Sequence, residues 1–257
     1  MEDVIHGAAA EGYQASADTY ERARPGYSAA AVAHLVDGLR LSPGDRLADV
    51  GAGTGKLTRP LLDHGVSVVA VEPVAAMRGI FASVLPEVPV VGATAEHLPL
   101  RRGCVDAVTV GQAFHWFDAP AALAEIHRVL RPGGRLGLVW NVRDESVEWV
   151  AALTRLIDSH VGTGPTFRSG AWQRAFNGTS LFGPLQAATF PNDQRVDLDG
   201  VLARVASISY IAVLPERERR RVADQVRVLL ADHPDTAGRD EFVILHHTDV
   251  FWCERRG

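Results

Sequence analysis

The sequence has few cysteines and no long apolar run, and both absences restrict the class of protein it can encode. Only Cys104 and Cys253 occur in 257 residues, too few and too far apart for a disulfide framework, which favours a reducing compartment. The N-terminus, Met1 to His6, lacks the basic start and apolar stretch of a signal peptide, and no segment approaches the length of a membrane span. We therefore expect a cytoplasmic protein that makes no membrane contact.

Concentrated positive charge is also missing. The formal net charge is −5, and the arginine clusters that stand out lie at 101–102, in an expected turn, and at 216–221, where glutamates are mixed with them. Charges of both signs along one helix are typical of a solvated face. We therefore expect no nucleic-acid partner. Internal repeats and low-complexity segments are absent as well, which excludes a repeat architecture.

Apolar residues make up 47% of the chain, enough for a core, and they follow a pattern of alternating strands and helices. The apolar spacing predicts strands ending at Val50 and at 66–71, 88–92, 105–110 and 136–140, and helices at 28–40, 56–64, 74–85 and 119–130. Strands that alternate with helices in this way form a parallel, doubly wound sheet whose ligands bind at the carboxyl ends of the strands.

A glycine-rich loop follows the first of these strands. The strand ends at Asp49 and Val50, and then Gly51, Gly53 and Gly55 alternate with other residues before a helical segment begins. Glycines at this spacing allow a sharp turn and a close approach of backbone to ligand. The helix that follows offers unpaired N–H groups to a polar or anionic ligand.

The spacing of the glycines excludes two nucleotide-binding motifs. A phosphate-binding P-loop needs a glycine at position 50 and a hydroxyl at position 57, where this chain has Val50 and Leu57. The dinucleotide fingerprint needs its third glycine at position 56, which is Lys56, and this disfavours a nicotinamide-dependent dehydrogenase. The third glycine comes one residue earlier, at Gly55.

An acidic residue ends the second predicted strand. Residues 66–71 form an apolar, largely β-branched run that stops at Glu72, about twenty residues after the glycines. An acidic side chain at that place accepts hydrogen bonds from the two hydroxyls of a ribose. A surface turn would also explain an acidic residue after a strand, but its pairing with the glycine loop favours a nucleoside site.

The Asp-x-Gly-x-Gly-x-Gly pattern resembles the first motif of the class I methyltransferases, which bind S-adenosylmethionine (SAM). Residues 92–100 are similar to the family's adenine segment, and residues 112–118 and 125–134 are similar to a subgroup called type 11 or trans-aconitate-methyltransferase-like. The resemblance covers essentially the whole chain. It implies a Rossmann-like, mostly parallel seven-stranded sheet with helices on both faces, and a helical insertion that covers the substrate.

The resemblance also implies a set of cofactor-binding residues. In the family, the residue at Met77 packs on the adenine, although a core role is equally open, and Arg24 would clamp the methionine carboxylate unless it forms a surface salt bridge. Asp49 would act near the SAM amino group, or else only cap the turn. Thr94 stands where an acidic residue is more usual. The expected cofactor-binding residues are Tyr20, Arg24, Asp49, Gly51, Ala52, Gly53, Thr54, Gly55, Glu72, Met77, Ala95, Glu96, Gln112 and His115.

His115 is the candidate catalytic residue. Methyl transfer from a sulfonium is an in-line displacement, so the protein mainly supplies proximity and alignment. A base helps when the acceptor is a hydroxyl or a protonated amine, and a histidine that titrates near neutral pH suits that role. In the alternative interpretation, His115 bonds to backbone and positions its loop, or stacks beside Trp116 against SAM.

Residues in the later part of the chain are candidates for substrate binding. Arginines there suit an anionic substrate, with Arg143 and Arg168 as candidates and surface charge as the alternative. The aromatic candidates have an ordinary core role as their alternative. The expected substrate residues are Trp116, Trp140, Arg143, Trp172 and Tyr210. His246 and His247 lie in a strand-like stretch where neighbours point to opposite faces, and a third ligand is missing, so we expect no metal.

Together these observations predict one domain that moves the SAM methyl to a small molecule and releases S-adenosylhomocysteine (SAH). Oxygen is the first choice of acceptor atom, followed by nitrogen or carbon, and we expect a monomer or homodimer. The alternatives are a SAM-binding enzyme of the same fold with another reaction, or a non-catalytic SAM-binding protein. The expected segments are an N-terminal lid (1–30), a SAM-binding core (31–141), a substrate-covering insertion with late strands (142–240) and a C-terminal strand (241–257).

Overall fold

The computed structural model describes residues 7–162 and 164–257 of the chain. Its strands are β1 (Arg46–Val50), β2 (Ser67–Val71), β3 (Val90–Val91), β4 (Val105–Gly111), β5 (Leu130–Arg143), β6 (Gln186–Pro191), β7 (Gln194–Asp197), β8 (Glu241–Ile244) and β9 (His246–Glu254). Its helices are α1 (Gly7–Ala23), α2 (Ala29–Leu39), α3 (Thr58–Leu62), α4 (Ala75–Val84), α5 (Ala119–Val129), α6 (Glu148–Asp158), α7 (Ala171–Asn177), α8 (Leu198–Ala206), α9 (Ser209–Ala212) and α10 (Glu216–Asp232).

Seven strands form the central sheet, in the order β3-β2-β1-β4-β5-β9-β6. The first five strands in this order run parallel, and β9 runs antiparallel to both β5 and β6. This confirms the predicted Rossmann-like sheet. The strand order reverses between β1 and β4, and the crevice at such a reversal is where open α/β sheets bind ligands.

The sheet is covered on both faces, which explains the near-continuous apolar strands. Along β1, Leu47 packs with Leu35 of α2 on one face. Its neighbour Ala48 packs with Leu138 and Ile126 on the other. Adjacent residues of a strand point to opposite faces, and parallel sheets are buried on both.

Local sequence signals set the ends of the flanking helices. The Ser28 hydroxyl accepts a hydrogen bond from the Ala31 N–H at the start of α2, and the Asp118 carboxylate accepts one from Ala121 at the start of α5. Such caps satisfy amides that lack a partner within the helix. The helix predicted at 56–64 is shorter in the structure, where α3 covers only Thr58–Leu62. The end of the glycine loop forms turns instead.

The expected insertion builds a separate apolar cluster beside the sheet. Helices α6, α8 and α10 pack together through Trp149, Val201 and Val226. Strands β7 and β8 pair as a two-stranded antiparallel sheet at its edge. The segment expected as a single C-terminal strand, 241–257, therefore contains two strands, which separate at Leu245 and belong to different sheets. No helix within the described ranges is both long and apolar enough to span a membrane.

Candidate functional site

The glycine loop at the end of β1 has the backbone geometry that its sequence predicts. Gly51, Gly53 and Gly55 have φ values of 68°, 58° and 86°, a left-handed region that disfavours residues with a Cβ. At Gly55 an added Cβ would also lie 2.7 Å from Leu85 Cδ1. Gly55 therefore serves the packing of the loop, whereas Gly51 and Gly53 lie on the wall of a cleft.

Asp49 lies beneath this loop and is fully buried. Its carboxylate accepts hydrogen bonds from the hydroxyls of Thr58, at 2.5 Å, and Thr109, at 2.9 Å. Burial raises the pKa of Asp49 to about 6, although both hydroxyls act to lower it. Asp49 thus ties β1 to β4 and to the start of α3, and it does not line the larger cleft above the loop.

Glu72 lies on the wall of that cleft, at the carboxyl end of β2. One carboxylate oxygen accepts a hydrogen bond from the N–H of Gly53, at 2.9 Å, and the other accepts one from Val74, at 2.8 Å. Burial raises the pKa of Glu72 to about 7 against these two donors. The carboxylate is therefore fixed to the glycine loop and has lone pairs left for a ligand.

The cleft above the glycine loop is lined by glycine backbone, apolar side chains and a few polar groups, a combination typical of small-molecule sites. Helix α1 closes it from one side. Eight of the expected cofactor-binding residues lie on its wall: Tyr20, Gly51, Gly53, Glu72, Met77, Ala95, Glu96 and Gln112. Ala52 and Thr54 line a smaller niche below, while Arg24 and His115 lie on a second cavity instead.

The hydroxyl of Thr94 is a feature of the cleft that sequence reasoning did not assign. This oxygen is buried on the cleft wall and has no hydrogen-bond partner among the described residues. The neighbouring Glu96 carboxylate is already engaged, because it accepts the N–H of Asp118 at 2.9 Å. A buried hydroxyl without a partner is costly, so Thr94 is suited to bond with a ligand.

Helix α1 covers the cleft and is attached to the glycine loop by charges. Glu21 accepts hydrogen bonds from the Thr54 hydroxyl, at 2.6 Å, and from Arg59, at 3.1 Å. Lys56, the only lysine of the chain, lies 3.3 Å from the same carboxylate and donates to the Glu21 carbonyl. These contacts lower the pKa of Glu21 against the opposing effect of burial. Residues 1–6 of the expected lid lie outside the described residues.

A second cavity adjoins the first. Four residues line both: Tyr13, Tyr20, Gln112 and Trp116. Gln112 lies between the cavities with a left-handed φ of 58°, and its side-chain amide donates to the Asn141 carbonyl. Left-handed backbone is uncommon outside glycine and is frequent at functional sites.

The second cavity contains most of the expected substrate residues. Trp116, Trp140, Arg143 and Tyr210 line it. Trp172 does not; its side chain is 3% exposed and lies 4.5 Å from the Trp140 ring, measured between ring centroids. Trp172 is therefore part of the apolar core behind the cavity wall, which is a correction to the sequence prediction.

His115 lines the second cavity with a fixed ring orientation. The indole N–H of Trp140 donates to His115 Nδ1 at 3.3 Å, so the neutral ring carries its proton on Nε2. Burial lowers the pKa of His115 to about 4. At neutral pH the free ring nitrogen is therefore a hydrogen-bond donor, which disfavours the expected role as general base.

Arginines dominate the charge of the second cavity. Of the charged residues that the structure describes, Arg24, Arg143, Arg168 and Arg204 lie on its wall with one carboxylate, that of Asp158. Arg168 forms an ion pair with Glu145 at the surface. Sequence reasoning missed Arg204, because α8 is an ordinary amphipathic helix in which a single arginine predicts nothing.

His246 has two hydrogen-bond partners within the protein. Its ring bonds to the Ile244 carbonyl, at 2.9 Å, and to Arg204, at 3.2 Å. Within residues 7–162 and 164–257, no group of three or more His, Cys, Asp or Glu side chains is arranged to hold a metal ion.

Comparisons with known proteins agree with this geometry. A family model described as a methyltransferase domain matches residues 48–138, which span β1 to most of β5. A relative from Mycobacterium tuberculosis, named an uncharacterized methyltransferase, is 38% identical over 229 residues, covering 89% of each chain. One from Schizosaccharomyces pombe, named methyltransferase-like, is 31% identical over 237 residues, covering 92% of each.

A solved structure also shares the fold. It is a putative type II methyltransferase from Anaeromyxobacter dehalogenans, with a TM-score of 0.67, 23% identity, and coverage of 91% of this chain and 97% of that one. Identity this low supports the fold alone, whereas the relatives are similar in sequence over nearly their whole length. The chain belongs to the class I methyltransferases and is a SAM-dependent methyltransferase.

Proposed function

We propose that this enzyme transfers the methyl group of SAM to an oxygen atom of a small molecule, with nitrogen or carbon as second choices. In this proposal the cleft above the glycine loop holds the donor and the second cavity holds the acceptor. The observation that carries it is the shared wall: Tyr13, Tyr20, Gln112 and Trp116 border both cavities. Ligands in two cavities that share wall residues lie next to each other.

The residues of the first cleft fit SAM. The Glu72 carboxylate would accept the ribose hydroxyls, since both its oxygens keep free lone pairs. Met77 and Val74 offer an apolar surface for the adenine, and the unpaired Thr94 hydroxyl is available to its polar edge. When bound, SAM supplies a methyl group that its sulfonium charge has already activated.

The protein's own contribution is alignment and the exclusion of water. Holding the acceptor beside the donor removes the entropic cost of bringing two molecules together during the reaction. This lowers the activation free energy by about 7–11 kcal/mol in favourable cases. Helix α1, attached through Glu21, covers the opening and keeps water out. His115 donates from Nε2 and so orients an acceptor oxygen without taking a proton.

The experiment that tests this function is incubation with methyl-labelled SAM and a panel of small hydroxyl, carboxyl, amine and carbon acceptors. We expect SAH and a labelled product in equal amounts from at least one oxygen acceptor. The Glu72→Ala variant is the control, because we expect it to lose SAM binding and therefore to form no product. Tight SAM binding without SAH across the whole panel would instead support a SAM-binding protein with another role.

We also propose a cytoplasmic monomer or homodimer that has no nucleic-acid partner. Two cysteines, Cys104 and Cys253, are both unpaired, which suits a reducing compartment. Burial raises the pKa of the Cys253 thiol to about 12, so this side chain is unreactive. Sedimentation at several protein concentrations, with and without added RNA, tests the oligomeric state and the absence of that partner.

A further inference from the structure

The two edge strands of the central sheet differ in how they are protected from pairing. At one edge, β3 consists of only two residues, Val90 and Val91. At the other edge, β6 is six residues long and lies beside β9. Proteins protect sheet edges with short strands, charged side chains, bulges or proline, because an open edge pairs with other strands. β6, which the structure describes in full, has one of these features, Pro191 at its end.

The sequence around β6 is uncharged. Residues 175–192 contain no Asp, Glu, Lys or Arg, although these four types make up 22% of the chain. Within β6, Gln186, Ala187 and Thr189 are exposed. Two copies of one strand always bring the same charges together, and like charges directly opposite each other destabilise a strand pair. An uncharged, exposed strand such as β6 is therefore suited to pair with a second copy of itself.

The hydrogen-bond pattern determines which backbone groups of β6 face away from β9. The N–H of Asn192 donates to the His246 carbonyl, at 2.9 Å, directly after the end of the ladder. Hydrogen-bonded and non-hydrogen-bonded pairs alternate along antiparallel strands, so the even-numbered residues of β6 bond to β9. Ala187 and Thr189 therefore direct their N–H and C=O groups away from β9. Pro191 faces the same way but has no N–H.

We propose that β6 pairs with β6 of a second copy of this chain, antiparallel and about a twofold axis through Ala188. The two seven-stranded sheets then form one continuous sheet. In this register Ala187 lies opposite Thr189 of the second copy, and Thr189 lies opposite the second copy's Ala187. Each of these pairs exchanges two N–H···O=C hydrogen bonds. Because both copies use the same surface, the interface is closed and the assembly stops at a dimer.

The side chains of β6 fit this register. Ala188 meets its own counterpart on the axis, in a non-hydrogen-bonded pair whose Cα atoms are about 4.5 Å apart. Its methyl group is small enough for this close approach. Phe190 is half-buried and packs against His34, with 5.2 Å between the ring centroids. It lies opposite Gln186 of the second copy, and the aliphatic part of that side chain covers the open side of the ring.

Sedimentation velocity of the full chain between about 1 and 200 µM measures this pairing. We expect a reversible dimer with a dissociation constant on the order of 1–100 µM, because one strand pair buries less surface than a standard interface. Ala187→Pro removes an N–H that faces away from β9, and it should raise this constant about 10–100-fold. Ala187→Thr is the matched control, since it keeps the N–H and should dimerise like the wild type.

A charge variant tests the same edge should Ala187→Pro fail to fold. Ala187→Lys keeps the backbone N–H and adds the charge that protects edges in other sheets, so it should also weaken the dimer. Ala82→Lys makes the same change at an exposed position of α4, and it should leave the dimer intact. β6 contributes no residue to the described walls of the two cavities. SAH affinity should therefore stay within about threefold of the wild type in all these variants.

Cross-linking tests the register. Ala188→Cys places the thiols of the two copies opposite each other, with Cα atoms about 4.5 Å apart, which a disulfide can bridge. We expect diamide to convert most of this variant into a covalent dimer. Ala187→Cys is the matched control, because its own counterpart is a diagonal neighbour about 7–8 Å away and should cross-link much more slowly. The wild type, with Cys104 and Cys253, gives the background.

Several results would overturn the proposal. A wild type that stays monomeric at about 200 µM would exclude the dimer and leave the β6 edge to a strand of a different protein. A dimer that persists in both Ala187→Pro and Ala187→Lys would assign dimerisation to another surface. Equal cross-linking of Ala187→Cys and Ala188→Cys would exclude this register. Because the readouts are oligomeric state and cross-linking, a failure to find methyl transfer would leave these results interpretable.

Discussion

The carboxylate of Glu72 accepts backbone hydrogen bonds from Gly53 and Val74 while it faces the cleft, so one substitution affects both the loop and the ligand. In Glu72→Gln, the amide nitrogen cannot accept, and one backbone N–H loses its partner. We expect the dissociation constant for SAH, measured by titration calorimetry, to rise about 10–100-fold. Glu87→Gln, at an exposed position after α4, is the control and should bind normally.

The raised pKa of Glu72 predicts that SAH binding depends on pH. In the free enzyme burial raises this pKa to about 7, so the carboxyl protonates as the pH falls below neutrality. A protonated carboxyl is a poorer acceptor for ribose hydroxyls. SAH affinity should therefore weaken by up to about tenfold per pH unit below pH 7. The same titration in Glu72→Gln should be nearly flat, and an unchanged slope there would assign the pH dependence to another group.

His115 is the residue where sequence and geometry give different mechanisms. If His115 were a general base, replacing it with either Gln or Leu would lower kcat by at least about 100-fold. Since Trp140 donates to Nδ1, the ring instead acts as a donor, which the Gln amide can replace. We expect His115→Gln to retain kcat within about tenfold, measured with an acceptor found in the panel incubation, and His115→Leu to lose more.

The pH profile of kcat provides an independent check on His115. A pKa of about 4 keeps the ring neutral between pH 6 and 8, so wild type and His115→Gln should share the same profile there. If the wild-type profile shows an ionisation near neutral pH that is absent in His115→Gln, His115 acts as a general base.

Whether a site residue could be predicted from the sequence depended on how local its signal is. The glycine loop and Glu72 are determined by adjacent residues and by strand ends, and both lie where the sequence predicts. Arg204 and His246 meet across 42 residues of chain, and neither carries a local motif. Trp172 failed for a related reason: an aromatic residue looks the same in the sequence whether it lines a cavity or packs behind it.

At the scale of elements, α1 is held over the cleft by Glu21. Its carboxylate bonds to Thr54, Lys56 and Arg59 of the glycine loop and α3. We expect Glu21→Ala to loosen α1, so that amide hydrogen exchange in residues 7–23 speeds up and SAH dissociates about tenfold faster. Stopped-flow fluorescence and exchange mass spectrometry measure the two effects.

The exposed Asp18 of the same helix provides a matched control for the Glu21 variant. Asp18→Ala removes a carboxylate from α1 without touching the glycine loop, and it should leave SAH dissociation unchanged. Equal acceleration in both variants would mean that helix α1 responds to lost charge in general. No acceleration in Glu21→Ala would show that the Glu21 carboxylate does not hold α1 over the cleft.

Helices could be predicted from the sequence where the spacing of apolar residues and the capping residues indicate the same ends. Residues 28–40 and 119–130 form α2 and α5 behind the Ser28 and Asp118 caps. The C-terminal segment was harder, because Phe242 and Val250 belong to one strand-like run in the sequence. The direction change at Leu245 places β8 against β7 and β9 against β5, and only these tertiary pairings separate the strands.

At the scale of the whole molecule, the two cavities share part of their walls and differ in the elements that supply the rest. The carboxyl ends of β1, β2 and β4 make the cleft above the glycine loop, and helices α8 and α9 contribute Arg204 and Tyr210 to the second cavity. The insertion has its own apolar cluster. Its cavity wall can therefore change while the glycine loop stays intact, which explains why the loop identifies the donor but not the acceptor.

Asp49 of β1 affects the stability of the whole fold, because its buried carboxylate is bonded to Thr109 of β4. Its folded-state pKa of about 6 exceeds its ordinary value of 3.8, so the folded protein binds the proton more tightly than the unfolded chain. This contribution to stability is complete below about pH 4 and is lost as the pH rises through 6. The free energy of unfolding of the wild type, relative to Asp49→Asn, should fall by up to about 3 kcal/mol over that interval.

Asp49→Asn is a suitable reference because its amide does not titrate, and the hydroxyls of Thr58 and Thr109 can rotate to satisfy it. Urea unfolding followed by circular dichroism and by fluorescence, at half-unit steps between about pH 4 and 7, measures the difference wherever the two probes coincide. Parallel curves for the two proteins would mean that Asp49 stays ionised throughout. In that case the hydrogen bonds from the two threonine hydroxyls stabilise the ionised carboxylate by more than burial destabilises it. Asp49 is then negatively charged beneath the glycine loop over the whole pH range.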